Sequence, residues 1–298
     1  MVLKWMSRVT LALAALSVGL AGPAQAKAAG DRPAMWKLAD SDTTIYLFGT
    51  FHLLPEGQSW RTPDFDKALA AAGELVLEVP NLDDPAAMGE IGMKMGVGGP
   101  DLPPLAERVP AEKREALAAM VAESGVPVQA LDRFETWMAG LALMSVTFKR
   151  LGLDPNKGVE MSITGPFKAS GRPVKGLETI EEQLGFFDRL SEESQRKFLV
   201  SMLESPEEMK KDFAEMLAAW SKGDLAGIAR TFDDETNMSP ELRQVLMAQR
   251  NARWAEWIKK RMDQPGTVFI AVGAGHLAGK DSVETMLEAK GLEVDRVQ

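Results

Sequence analysis

The hydrophobic pattern changes period twice along this chain. Residues 34–38 and 43–48 are strand-like runs flanking the turn-forming Ala39-Asp40-Ser41-Asp42, and they predict a hairpin. A short helix is expected over about 63–72, and residues 75–79 in "ELVLEVP" read as a buried strand with Glu78 inside it. Residues 84–95 form a Met-rich amphipathic segment, and "GVGGPDLPP" after it marks a loop. In the middle, residues 111–124, 136–151 and a series between 178 and 258 space their apolar residues three and four apart, as helices do. Ser191, with Glu192 and Glu193 behind it, is a capped helix start. A short strand over 173–177 interrupts the helical series. At the C-terminus come a strand over 267–272, a helix over 280–290 stopped by Gly291, and a strand over 293–297, an order that predicts a right-handed crossover with parallel pairing. The pattern as a whole predicts an α/β (α+β) fold in which a central mixed sheet carries a helical lobe at about 84–260.

Composition narrows the class. Lys4 and Arg8 precede an apolar run over 9–21, and Ala24-Gln25-Ala26 has the spacing of a signal-peptidase site. The run is shorter than the about 20 residues of a membrane-spanning helix. Residues 1–26 are therefore expected to be a cleaved secretory signal, leaving a single domain over 27–298 in the periplasm or outside the cell, with no stable membrane anchor. That mature part has 43 acidic against 32 basic groups, a net charge of −11. With no cluster of Lys or Arg, this acidity argues against nucleic acid as a partner. Cysteine is absent, so disulfides and thiolate metal sites are excluded and the fold must rest on its core.

The chain has only two histidines, and each sits in Gly-x-x-His-Leu at the end of an apolar run: Gly49 to Leu53 and Gly273 to Leu277. Glycine at a strand end allows a sharp turn or close approach to a ligand. Ligands of α/β sheets collect beyond the carboxyl ends of strands. If both strands share one sheet, His52 and His276 project over one edge, as metal ligands or as a base with an electrostatic partner. Without cysteine, further ligands must be oxygen. Glu78 leads, because a carboxylate buried in "LVLEVP" needs a charged partner; a structural salt bridge is its alternative role. Glu178 in "GLET" follows, with a helix-start acid as its alternative, and Glu160 in "KGVE" comes third. Two histidines with carboxylates and open water positions suit Zn, Mn, Co or Fe, and such a metal makes a nucleophile of bound water. In "AQRNARWAEWIKKRM", Trp254 and Trp257 share a helix face and are expected to pack on the core, whereas Arg250 and Asn251 are candidates to reach the site. The motifs H-E-x-x-H and G-x-S-x-G are absent, as are a Walker loop and a G-x-G-x-x-G after a strand. A serine triad and a carboxylate pair stay open as competing readings.

The pieces "YLFGTFHLLP", "LVLEVP", "KGVE", "GRPVKGLETIEEQL", "RNARWAEWI" and "FIAVGAGHLAG", in that order, resemble the TraB/GumN family, to which PrgY and the Tiki metalloproteases are related. The resemblance implies a core of the type shared with erythromycin-esterase-like and ChaN-like proteins. From the Tiki branch it implies a metal-dependent protease, with Mn or Co favoured, in which His52, His276 and Glu78 are essential and Glu178, Arg250 and Asn251 support them. Gly49, Gly273 and Glu160 complete the candidate set. The expectation is an exported metal-dependent hydrolase acting on a peptide or small molecule, with metal on His52, His276, Glu78 and Glu178 and with Arg250 steadying the oxyanion. The alternative is a non-catalytic periplasmic binding or accessory protein for an exported peptide or polysaccharide.

Overall fold

A computed structural model describes residues 31–80, 85–154, 157–233 and 238–298. The expected signal over residues 1–26 lies outside them. Six strands, β1 (Met35–Ala39), β2 (Thr43–Thr50), β3 (Glu74–Leu77), β4 (Val174–Gly176), β5 (Gly266–Gly273) and β6 (Asp295–Arg296), form one mixed sheet in the order β4-β3-β5-β2-β1-β6. Between them run α1 (Pro63–Ala71), α2 (Pro85–Gly96), α3 (Arg114–Ser124), α4 (Val128–Leu131), α5 (Thr136–Leu151), α6 (Val159–Ala169), α7 (Ile180–Asp188), α8 (Glu192–Ser201), α9 (Pro206–Ser221), α10 (Leu225–Asp233), α11 (Pro240–Arg243), α12 (Gln249–Met262) and α13 (Val283–Ala289).

Local chemistry sets many of these boundaries. The Thr62 hydroxyl accepts from Phe65 N and Pro63 opens α1, whose fixed φ suits a first helical position. Thr179 and Glu182 form a reciprocal capping box that starts α7 two residues after Glu178. Ser191 caps α8 as its sequence predicts. The hairpin of β1 and β2 forms with the expected turn, and Asp40 accepts from Asp42 N and Thr43 N across it.

The C-terminal pairing departs from expectation. β5 and β6 run in the same direction, but β2 and β1 lie between them, and the two-residue β6 pairs antiparallel with β1. The reason is that both hydrogen-bonding edges of β5 are taken, by β2 along its whole length and by β3. Glu78 also falls one residue beyond β3 rather than inside it.

Side chains of the parallel strands alternate between two cores, as period two requires. On one face Phe48, Phe269 and Ala271 pack with Phe65 of α1 and with Ile163 and Phe167 of α6. Phe65 meets Phe48 and Phe269 edge-on at 4.6 and 5.2 Å between ring centres, pairs worth about 0.5–1.5 kcal/mol each beyond their burial. On the other face Ile45, Leu47, Val268 and Ile270 pack with Trp254 and Ile258 of α12 and Leu287 of α13. Away from the sheet, α3, α5 and α8 build a third cluster around Leu117, Leu143 and Leu199. Among the described residues no helix is long and apolar enough to cross a membrane.

Candidate active site

The parallel ladder between β2 and β5 pairs Gly49 with Val272 and Thr50 with Gly273. The two Gly-x-x-His segments therefore leave the sheet side by side, one residue out of step, at the carboxyl ends of its central strands. β3 and β4 end at the same edge, where Glu178 N donates to Glu78 O (2.9 Å) and extends their ladder. Four strand ends thus deliver His52, His276, Glu78 and Glu178 to one place.

His52 is positioned by α6. Val159 N donates to Phe51 O (3.1 Å), which draws the start of α6 against the end of β2. Gly158 makes this approach possible, since a Cβ there lies 2.1 Å from the His52 carbonyl oxygen. In the first turn of α6, Glu160 then meets the imidazole, with Nδ1 to Oε1 at 2.7 Å, and the same oxygen accepts from the Thr50 hydroxyl. Glu160 is buried, whereas the His52 ring is 62% exposed to the cavity beside it. The adjacent Glu160 carboxylate raises the pKa of His52 to about 9, against a smaller opposing effect of burial. At neutral pH the ring is an imidazolium, with Nδ1–H on Glu160 and Nε2–H toward Gly273.

Glu78 faces that second nitrogen. A Cβ on Gly273 lies 3.1 Å from His52 Nε2 and 3.2 Å from Glu78 Oε1, so only glycine leaves this position clear. Gly273 N donates to Glu78 Oε1 (2.8 Å), and Arg250 Nη2 (2.6 Å) and Gln183 Nε2 (3.3 Å) donate to Oε2. Burial alone raises a carboxyl pKa, but the charges of Arg250 and His52 and the Gly273 amide outweigh it and hold Glu78 well below the carboxylate range.

Arg250, on α12, is the centre of a buried clasp. Nε donates to both oxygens of Glu178 (3.1 and 3.0 Å), and Nη2 to Glu178 Oε2 (2.9 Å) as well as to Glu78. Nη1 donates to Leu246 O (3.1 Å), in the π-turn Gln244–Ala248, and lies 3.1 Å from His276 Nε2. All five N–H groups of the guanidinium are committed. Arg253 and the Trp254 indole also donate to Glu178 Oε1, both at 3.1 Å. A guanidinium has no lone pair, so His276 Nε2 is the acceptor and Nδ1 carries the proton, donated to Asn251 Oδ1 (2.6 Å). The amide nitrogen of Asn251 is tied to Asp281 O (2.7 Å), which fixes its orientation. Burial lowers the His276 pKa to about 3, so this imidazole is neutral at pH 7.

Beyond His52 opens a cavity of about 340 Å³ with apolar walls from α5, α9 and α10. Two larger clefts, of about 540 and 520 Å³, lie on the helices away from both histidines and hold none of this chemistry.

The sequence pattern of the TraB/PrgY/gumN family matches residues 34–296. This chain belongs to that family. Among its relatives, an uncharacterized protein of Treponema pallidum (strain Nichols) is 22% identical over 269 residues, 86% of this chain and 80% of the relative. The uncharacterized protein YbaP of Escherichia coli (strain K12) is 25% identical over 245 residues, 82% of this chain and 87% of its own. No solved structure gives a significant match.

The resemblance to the Tiki branch implies a transition metal. Such an ion needs three lone pairs aimed at one point about 2.0–2.2 Å away. Here His276 Nε2 and Glu78 Oε2 both face Arg250, and His276 Nε2 stands 3.8 Å from Glu78 Oε1. Among the described residues no three His, Asp or Glu side chains converge on a cation position. As arranged, the donor set does not fit a metal, because the His276 Nε2 lone pair and Glu78 Oε2 are both taken by Arg250.

The candidates legible in the sequence occupy three roles. His52 and Glu160 form one pair, Glu78 joins them across Gly273, and Glu178, Arg250, Asn251 and His276 form the clasp behind. Gly49 lies one layer back, its carbonyl accepting from the Trp220 indole (2.8 Å). Arg250 is buried with every donor engaged, so it steadies the two glutamates rather than an oxyanion. Thr50, Gln183, Arg253 and the glycine at 158 escaped the sequence reading. The Gly158-Val159-Glu160 order and the Gln183 within "GLETIEEQL" were the signals available.

Proposed function

We propose that this TraB/PrgY/gumN protein is an exported hydrolase that cleaves an amide or ester bond, a peptidase in the first instance. Export rests on the basic start, the apolar run and Ala24-Gln25-Ala26. The observation that carries hydrolysis is the proton arrangement at His52: a charged imidazole backed by buried Glu160 faces the carboxylate of Glu78 across Gly273. Neighbouring groups whose environments drive their pKa values apart are the mark of an acid and its partner base.

His52 Nε2–H donates to the oxygen or nitrogen of the bond under attack. Glu78 accepts a hydrogen bond, and then the proton, from the attacking water. The hydroxyl of that water stays on the carbonyl carbon, the carbon–heteroatom bond breaks, and the His52 proton leaves with the departing group. The proton on Glu78 then restores His52, and the sum is one water consumed, one acid and one alcohol or amine released. Arg250, whose other donors are taken by Glu178, Leu246 O and His276, holds Glu78 in place.

The test is incubation of the mature protein with a peptide library and model acyl esters in ¹⁸O-water, read by mass spectrometry. Hydrolysis labels the product acid, and His52→Ala lowers the rate per folded molecule by about 10²–10⁴-fold, beyond the stability it loses by leaving Glu160 buried without its partner. Equal activity in the folded variant would falsify the assignment. One observation favours a second reading, a binding protein: with Arg250 fully engaged, the site has no spare guanidinium for an oxyanion. That reading predicts stoichiometric binding, with the ligand recovered intact.

A further inference from the structure

We propose that the bond presented to His52 carries, on its carbonyl side, an uncharged hydrocarbon chain larger than one aromatic ring, seated in the cavity between α5, α9 and α10. The inference rests on the hydrolase reading and specifies its substrate class as an acyl ester in place of a peptide. The cavity's polar end is Thr50, His52, Gly273 and His276, and its far walls are Phe148 and Leu151 of α5, Phe213 and Met216 of α9, and Ile228 and Phe232 of α10.

Size comes first. A cavity of about 150 Å³ is enough to hold benzene, so 340 Å³ exceeds the needs of a single ring. Polarity comes second. Among the described residues lining the space, the two histidines are the only ionisable side chains, and both nitrogens of His276 are already engaged. A charged or strongly hydrogen-bonding group placed deeper than His52 loses its water and finds no partner. The walls are also held from behind. Phe51 packs against Phe213 and Trp220 at 5.6 and 5.4 Å between ring centres, and Trp220 is pinned to Gly49 O. Met216 and Met247, unbranched thioethers, give the lining the adaptability to accept a flexible chain. A carbonyl at His52 with its alkyl chain running toward Phe148 and Leu151 satisfies both ends. Water then adds at that carbonyl, its C–O bond to the alcohol breaks, and a fatty acid and a free alcohol are released.

The experiment uses p-nitrophenyl esters from acetyl to dodecanoyl, kept below their micelle concentrations, with isothermal titration of the matching unhydrolysed primary amides. The native chain and two cavity-filling variants, Ile228→Trp and Met216→Trp, are compared. In the native protein kcat/KM rises about threefold to fourfold per added methylene, the equivalent of ~0.8 kcal/mol, until the cavity is full. In each variant that keeps its unfolding transition, the decanoyl-to-acetyl ratio of kcat/KM falls at least about tenfold. If neither variant folds, the series on the native chain decides alone. A flat chain-length profile, a succinyl ester turned over as fast as a butanoyl one, or preference for a phenylalanyl-leucyl ester over decanoyl overturns the inference. Chain-length-dependent amide binding without turnover of any ester keeps it and removes the hydrolase reading. Turnover without chain-length dependence does the reverse.

Discussion

The proton on His52 is held from one side by Glu160 and offered on the other toward Gly273. Because Glu160 is the main cause that raises the His52 pKa to about 9, activity carried by the imidazolium is present at neutral pH and lost as pH rises through about 9. Glu160→Gln removes that cause, so the alkaline limb of kcat/KM moves down toward the ordinary histidine value of 6.5. A limb that stays in place in this variant would show that another group sets it. Arg250 makes the second prediction at this scale. Arg250→Ala leaves Glu78 buried without its guanidinium and Glu178 with only the half-exposed Arg253, and urea unfolding should show a loss of about 3–5 kcal/mol. The same variant frees His276 Nε2 and Glu78 Oε2, so titration with Mn²⁺ or Co²⁺ should give tighter binding than in the native chain. Equal affinities would mean that Arg250 does not occupy the cation position.

At the scale of elements, the site depends on close contact between a helix start and a strand end. Gly158→Ala places a methyl 2.1 Å from the His52 carbonyl, and backbone cannot yield as a side chain can, so α6 must withdraw and take Glu160 with it. The expected result is a lower melting temperature together with the same downward shift of the alkaline limb as Glu160→Gln. Gly273→Ala is different in kind. Its Cβ meets only side-chain atoms, at 3.1 and 3.2 Å, so the fold survives while His52 and Glu78 are pushed apart. The displacement needed is only a few tenths of an ångström, and since one of about 1 Å costs ~100-fold in rate, the expected loss is smaller than that. Kinetics with a parallel melting curve separates the two cases, and a stable, fully active Gly273→Ala protein would overturn the facing pair.

Stability of the whole molecule is bounded on both sides of neutrality. His276 is neutral in the fold with a pKa of about 3 because burial disfavours its charge, whereas the unfolded chain takes up a proton near 6.5. Stability is therefore lost as pH falls below 6.5. Glu78, held well below the usual carboxylate value of 4.5 despite its burial, adds a loss in the same direction at lower pH. On the alkaline side stands Glu284 of α13, raised from 4.5 to about 7 by burial, with one carboxyl oxygen that has no hydrogen-bond partner among the described residues. Its contribution is complete below 4.5 and lost as pH rises through 7. Glu284→Gln keeps the shape without the charge, and should raise the melting temperature at pH 8 while changing little at pH 4. No difference between the two pH values would remove Glu284 as the cause.

Periodicity and local capping are properties of short stretches, and these are what the sequence determined by itself. The β1–β2 hairpin, the boundaries of α1 and α5, the capped start of α8 and the helical middle all follow from spacing, turn residues and N-caps. The two Gly-x-x-His segments were legible because glycine and histidine carry their chemistry locally, and the burial of Glu78 was legible from the apolar run around it. Tertiary structure alone decided what each of these groups faces. Whether β5 pairs with β2 or with β6 depends on competition for hydrogen-bonding edges over more than two hundred residues. The division into an exposed His52 on Glu160 and a buried His276 on Asn251 arises because α6 and α12 arrive at opposite sides of the same strand ends. Arg250 reads in sequence as a free cation near the site, and only the fold shows two glutamates, a carbonyl and an imidazole taking up its donors. Proton affinity, unlike helix period, is set by neighbours distant in the chain, so the chemistry of this site could be placed by sequence but not balanced by it.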